Sequence, residues 1–369
     1  MEYVKLEEIC TIVSGGTPSR SKPDYWNNGN IPWIKIKDMK SKYIDSAEEF
    51  ITEEGLNNSS TKMLKSDTIL YSIFATLGEV GILKIDACTN QAIAGLSLKE
   101  DSNILKEYLY YYLKSKKKDV NNLGRGVAQN NINLSLLRKF RIPVIPLHQQ
   151  EKIIGVLDNV SNTINNYERE IYLLDELVKA RFVEMFGEIE DCDKWESKIW
   201  NEVVTIKNGR DYKKVLVSDG GYPVVGTGGE IARASGYLCP ENTIVVGRKG
   251  SINNPMLMKE KFWNVDTAFG VIPNSDYLHY QYFYYFCRFY NFMKLNKATT
   301  LPSTTKADLL KIRINIPPLE LQNQFASFVK EIDKSRLTYH RNISIISNLT
   351  TYIYHHLFNA TTVVFLLIL

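Results

Sequence analysis

From Gln150 to Phe186 the apolar positions step by four and three in alternation: Ile153, Leu157, Val160, Ile164, Tyr167, Ile171, Leu174 and Val178, with Arg181 and Met185 completing the register. This spacing is a heptad seam, the mark of a helix whose narrow apolar stripe meets another helix. Moving 172 positions along, as from Pro146 to Pro318, the register returns as Phe325, Val329, Ile332, Arg336, Tyr339, Ile343, Ile346, Thr350, Ile353 and Leu357. Residues off the seam return with it, Leu137, Arg141, Pro146 and Gln150 recurring as Leu309, Arg313, Pro318 and Gln322. The chain is an internal duplication. A helix from about 148 to 186 runs on the order of 58 Å, longer than one small domain needs. Each seam must find a partner, and the other copy supplies it; antiparallel pairing carries the flanking domains to opposite ends of a rod, related by an approximate two-fold axis.

The remaining pattern is mixed. Val4 to Val13 alternates loosely and breaks at the turn formers Ser14-Gly15-Gly16-Thr17-Pro18-Ser19. Arg20 to Asn30 reads as a long exposed loop, and Ile31 to Lys37, alternating apolar with basic, as a half-buried strand. Further strands are expected at Asp67 to Leu70, Gly81 to Ile85 and Ala92 to Leu98, then an aromatic helix over Asn103 to Lys118 whose tyrosines serve packing. The second half follows the same plan: Ile199 to Lys207 resembles Leu6 to Val13, Asn242 to Val245 answers Asp67 to Leu70, and Tyr277 to Phe289 answers the aromatic helix. An extended proline segment precedes each long helix, Ile142 to Pro146 and Ile316 to Pro318, marking the boundary and the helix start. The expected division is a mixed domain over 1–145, a long helix over 146–187, a second mixed domain over 188–317, a second long helix over 318–360 and an apolar tail over 361–369. The fold class is α+β.

Composition narrows the function only a little. The net charge of +4 over 369 residues is compatible with nucleic acid without arguing for it. The five cysteines are scattered, with no CxxC pair, which fits a reducing cytoplasm and neither a disulfide frame nor a zinc site. The first residues are acidic and hold no apolar segment of signal-peptide length, so secretion is not expected. The tail TTVVFLLIL covers about 14 Å as a helix, too short to span a membrane, and is expected to be a final strand or helix end packing on the body, with a read-through or truncated end as the alternative.

Catalytic signatures are missing. The chain has no Asn/Asp-Pro-Pro-aromatic turn of an amino-methyltransferase and no GxxxxGK[ST] loop to power translocation. Pro23-Asp24 followed by Asp38-Met39-Lys40 nominally matches a metal-dependent nuclease pattern, which leaves a self-contained nuclease as one alternative. A coiled-coil adaptor without DNA binding is another. No cofactor and no metal are expected.

A duplex has a symmetry that matches the duplication, since its strands are related by dyads and half-site spacing is a geometric matter, while helices that merely form a bundle or homodimer scaffold account for the periodicity equally well. The tandem plan, the GGTPS loop at Gly15 to Ser19, IPWIKIKD at Ile31 to Asp38, RIPVIPLHQQEKI at Arg141 to Ile153 and its copy RINIPPLELQNQF at Arg313 to Phe325 resemble the DNA-specificity subunit of type I restriction-modification systems. The resemblance covers nearly the whole chain, and the twice-present Pro-Leu-x-x-Gln is its most specific part. It implies two mixed α/β target-recognition domains in tandem, each reading one half of a split sequence in double-stranded DNA. The two long helices would pair as an antiparallel coiled coil that fixes the gap. Two methyltransferase subunits and the motor-nuclease subunits would assemble on the chain and hold the catalysis.

Base reading is expected from polar, basic loops on a rigid scaffold. In the first domain these are Arg20, Lys22, Tyr25, Trp26, Asn27 and Asn28, with Lys35 and Lys37 as phosphate ligands, and the glycine-flanked set Arg125, Gln129, Asn130 and Asn131. In the second they are Arg248, Lys249 and Ser251, then Lys213, Lys214 and Arg233, and Thr299, Thr300, Ser303 and Thr304 in the place of the Gln129 loop. Hydroxyls in place of amides predict a different half-site.

Overall fold

The structure, a computed structural model, describes residues 2–124, 131–189, 194–296 and 301–358. The apolar tail at 361–369 lies outside them. The chain forms two compact units, one of residues up to Asn166 together with those from Asn342, the other of Tyr167–Arg341. Each holds one mixed α/β body and a stretch of both long helices.

In the first unit a five-stranded sheet runs in the order Cys10–Ser14, Ile93–Leu98, Ile69–Ser72, Val80–Leu83, Tyr43–Ile44. A smaller sheet sets Ile31–Ile34 between Glu49–Ile51 and the parallel Cys88–Thr89. The expected strand over Ile31 to Lys37 stops at Ile34, where Asp38 accepts from the Lys35 amide at 2.7 Å and turns the chain into a 3-10 helix over Ile36–Asp38. The helix Lys106–Ser115 buries Tyr108, Tyr110, Tyr111 and Tyr112. Its Tyr108 hydroxyl donates to the Pro143 carbonyl at 3.1 Å, tying it to the proline segment ahead of the long helix.

The second unit repeats this frame. Val204–Asn208, Ala268–Pro273, Thr243–Gly247 and Met256–Met258 form a sheet in the order of the first four strands above. Tyr222–Gly226 lies between Gly229–Ala234 and the parallel Trp263–Asn264. The helix Tyr280–Phe289 buries its aromatic face, and the Tyr282 hydroxyl donates to the Asn315 carbonyl at 2.9 Å. Backbone details recur as well. Asp67 and Asn242 both enter the left-handed region, at φ 71° and 59°, where short polar side chains are best tolerated. Gly95 and Gly270 stand where a Cβ would lie 2.7 Å from Leu64 Cδ1 and 2.3 Å from Cys239 Sγ.

The long helices are Leu147–Phe186 and Leu319–Phe358. Within the second unit Tyr167 stacks on Tyr339 at 5.4 Å, Arg336 donates to Asp175 at 2.6 Å, and Phe182 and Phe186 meet Phe325 at 5.5 and 5.4 Å. Numbers rise along one helix as they fall along the other, so the pairing is antiparallel. Within the first unit Ile153 and Leu157 share a core with Leu357 and Phe358, Ile353 packing against it. Val178 and Val329 are likewise buried, whereas Val160, Ile164, Tyr167, Ile171, Leu174, Ile332, Tyr339, Ile343, Ile346 and Ile353 are half-buried. A seam covered by one partner helix stays partly open; where the sheet and aromatic helix add a layer, it closes.

The repeated glutamine explains its own motif. Gln150, fully buried, donates from Nε2 to the Asn103 and Ile145 carbonyls and accepts from the Leu105 amide, all at 2.8 Å. Gln322 donates to the Tyr277 and Pro317 carbonyls at 2.9 and 2.8 Å and accepts from the His279 amide at 2.7 Å. In each copy one amide side chain satisfies three backbone groups where two helices begin, which apolar side chains cannot do.

Candidate nucleic-acid interface

The glycine-rich turn of the first unit is part of the frame. A Cβ on Gly15 would lie 2.2 Å from the Asn90 carbonyl oxygen, so only glycine lets the chain pass the short strand Cys88–Thr89. Gly209 sits against the Val265 carbonyl in the same way. The Trp33 indole donates to the Gly16 carbonyl at 3.0 Å, and the Trp263 indole to the Arg210 carbonyl at 3.0 Å.

Beyond this turn, residues 19–29 fold back on themselves. The Trp26 indole donates to the Ser19 carbonyl at 3.1 Å, its ring meets Trp33 at 5.1 Å, and the Arg20 guanidinium lies 3.5 Å above it. Arg20, Lys22, Asn27 and Asn28 are exposed and Trp26 is half-buried. Tyr25 corrects the expectation of a wholly exposed loop: it is only 4 % exposed, covered by the helix Glu53–Asn57, and its carbonyl accepts from the Thr52 amide at 3.0 Å. Its ring cannot reach a groove. Lys35 is largely covered and ion-paired with Glu49, which also binds Arg20; Lys37 is exposed and paired with Glu48. Burial works against the charge of Glu49, yet hydrogen bonds from Lys35 and Arg20 hold its carboxyl below the ordinary value. One carboxylate thus orders two of the expected cations.

A second cluster gathers at the ends of the central strands. In the second unit the exposed Arg248 and Lys249 follow Thr243–Gly247, and Lys249 pairs with Ser303 in an antiparallel bridge. Gly250 donates to the Pro302 carbonyl at 2.9 Å with φ 82°, and Ser251 is exposed beside it. Two loops far apart in sequence are thereby joined into one tip. Thr304 is a further correction: it is 3 % exposed, and its hydroxyl donates to the Gly247 carbonyl at 2.8 Å, so it splices the loops and offers nothing outward. Ser303 is half-buried. Lys213 and Lys214 are exposed on a separate 3-10 turn, and Arg233 is paired with Glu230 at 2.8 Å. Thr299 and Thr300 lie outside the described residues, as do Arg125, Gln129 and Asn130.

The first unit has the same tip. Phe74 bridges to Asn131, and the Ile132 amide donates to the Ile73 carbonyl at 2.9 Å, just as the Thr304 amide donates to the Arg248 carbonyl at 3.0 Å. Asn131 is exposed. Phe74 to Thr76 are the positions that sequence reasoning missed. The signal was there, since extending the match of Asp67 to Leu70 with Asn242 to Val245 sets Phe74 opposite Lys249.

The nominal nuclease carboxylates do not form a centre. Asp38 caps its own turn and Asp24 lies in the separate 3-10 helix Pro23–Tyr25. Among the described residues no cluster of three or more His, Cys, Asp or Glu is arranged to hold a metal ion, and no helix is long and apolar enough to cross a membrane.

The type I restriction modification DNA specificity domain matches residues 1–173 and again 192–346. The chain is 34% identical over 172 residues to the EcoR124I/EcoR124II specificity subunit of Escherichia coli, a match spanning 45% of this chain and 42% of that subunit. It is 23% identical over 389 residues to the MjaIX specificity subunit of Methanocaldococcus jannaschii, across 94% of this chain and 89% of the relative. In fold it is similar to the S subunit of the type I restriction-modification system of M. genitalium, with 16% identity, a TM-score of 0.54, and coverage of 98% of this chain and 96% of that one. With two copies of the domain covering most of its length, the chain belongs to the type I restriction modification DNA specificity family.

Proposed function

We propose that the chain is the DNA-reading subunit of a type I restriction-modification complex, each unit recognising one half of a bipartite target while the paired helices set the gap. The observation that carries this reading is the pair of equivalent tips, Phe74 with Asn131 and Lys249 with Ser303, built on one backbone frame from different side chains. A common frame with unlike tips is what two half-sites of unlike sequence require. Arg248 and Lys249 suit phosphate or guanine, Asn131 suits adenine, and Arg20, Lys22, Asn27, Asn28 and Lys37 form a second polar surface on the first unit.

Catalysis belongs to partners in this reading. The exposed pair Leu173 and Leu177 returns in the other copy as the exposed pair Ile345 and Leu349. Apolar side chains one helical turn apart, off the seam and duplicated, support docking of two copies of one partner, the methyltransferase subunit. Motor-nuclease subunits join that core. Expressing the chain with the methyltransferase gene of its locus, and sequencing methylated bases in the host, tests the reading. A split motif with a fixed gap is expected; methylation without sequence preference, or a single undivided motif, would contradict it.

A further inference from the structure

The two tips share a backbone and differ in chemistry, and the difference is sharpest at one position. Ala75 holds φ 62°, where its counterpart Gly250 holds φ 82°. This region costs glycine nothing and strains an alanine, so the first unit maintains the tip against a local preference. It does so through a dense set of bonds. The Ser72 hydroxyl donates to the Thr76 carbonyl at 2.5 Å and accepts from the Glu79 amide at 2.7 Å, while the Ile73 amide donates to the Ala92 carbonyl at 2.8 Å. The residue presented by this fixed turn is a phenylalanine, 47 % exposed, with Leu77 buried on one side and Ile73 on the other. At the equivalent place the second unit presents Lys249, whose ammonium makes no ion pair among the described residues.

About half of this ring stays in solvent on a strained, well-bonded turn, and that exposed apolar surface contributes nothing to the fold. Resting on the DNA-reading account above, we propose that Phe74 is a specificity contact of the first unit. Its ring packs on an apolar feature of the half-site, a thymine methyl or the face of a loosened base step, while Lys249 supplies a charge contact in the second unit. Asn131, bridged to Phe74, stands beside it with an amide able to pair with adenine. The first half-site is then selected by shape and methyl contact, the second with a larger share of electrostatics.

The test takes the full chain in complex with the methyltransferase of its locus, incubates it with a randomised duplex pool and sequences what binds. Phe74→Ala should erase part of the first half of the motif, leave the second half as in the wild type, and weaken binding to the wild-type site by about tenfold. Its salt dependence should not change, because no phosphate contact is lost. Phe74→Lys should recover affinity, steepen the salt dependence by about one and still lack the lost bases. Because about half of the ring is already exposed, thermal melting of both variants should fall only slightly below the wild type. An unchanged motif and affinity for Phe74→Ala would overturn the proposal. If Lys249→Ala alters binding in that same experiment, the DNA-reading account stands without it. A wild-type complex that enriches no motif would bring down both.

Discussion

The Oε1 atom of Gln322 accepts the backbone amide of His279 at 2.7 Å, joining the start of the second long helix to the start of the aromatic helix. Gln150 does the same for Leu105 at 2.8 Å. Gln322→Ala leaves three backbone groups without partners in a buried place and should cost about 3 kcal/mol. Gln322→Glu keeps the acceptor and loses both donated bonds, so it should not rescue. Urea unfolding followed by tryptophan fluorescence reads both; a midpoint unmoved by either variant would show that the motif has another purpose.

Arg336 stands in the heptad seam, largely covered, with Asp175 and Asp333 as its partners. A charge of this kind is destabilising when it loses its partner and replaceable when it is removed whole. Asp175→Ala should cost about 1 kcal/mol, the carboxylate being partly exposed, while Arg336→Met should be close to neutral. The reverse order, measured by urea midpoints, would mean that the ion pair is a net stabiliser of helix pairing.

His279 caps the aromatic helix of the second unit through Nδ1, which accepts from the Gln281 amide at 3.1 Å. Burial lowers its pKa from 6.5. The unfolded chain therefore binds a proton that the folded chain resists, and stability should be full above about pH 6.5 and fall as pH drops below it. His279→Asn keeps a capping acceptor and removes the titration, so it should flatten this slope. An identical slope in the variant would place the pH dependence elsewhere.

Arg248→Ala with Lys249→Ala should weaken DNA binding by the assembled complex and reduce the slope of log affinity against log salt by about two. Unchanged affinity and slope would remove this tip from the interface.

The parts of the fold that were legible in the sequence are those that the duplication writes twice. The seam and the glutamine showed themselves because each returned in register, and a repeat filters chance from pattern. What escaped depended on neighbours distant in sequence. The burial of Tyr25 comes from Gly55, whose missing side chain lets the helix Glu53–Asn57 settle on the Tyr25 backbone, and turn formers around it gave no sign of that cover. Cys88–Thr89 is too short a strand to carry a period, yet it dictates Gly15. Thr304 looked outward only until the hydrogen bond from its hydroxyl to the distant Gly247 carbonyl was known. Phe74 follows an apolar strand, where sequence alone does not tell a core aromatic from an exposed one, and its place in the tip shows only through the bridge to the distant Asn131.

Under the proposed function, one chain carries two readers that act independently. Exchanging residues 1–140 for the corresponding region of a relative with a known target, then sequencing methylated bases in cells carrying the complete complex, tests it most directly. One half of the bipartite site should change to that of the donor, with the other half and the gap retained. A change in both halves, or in the gap, would contradict the account.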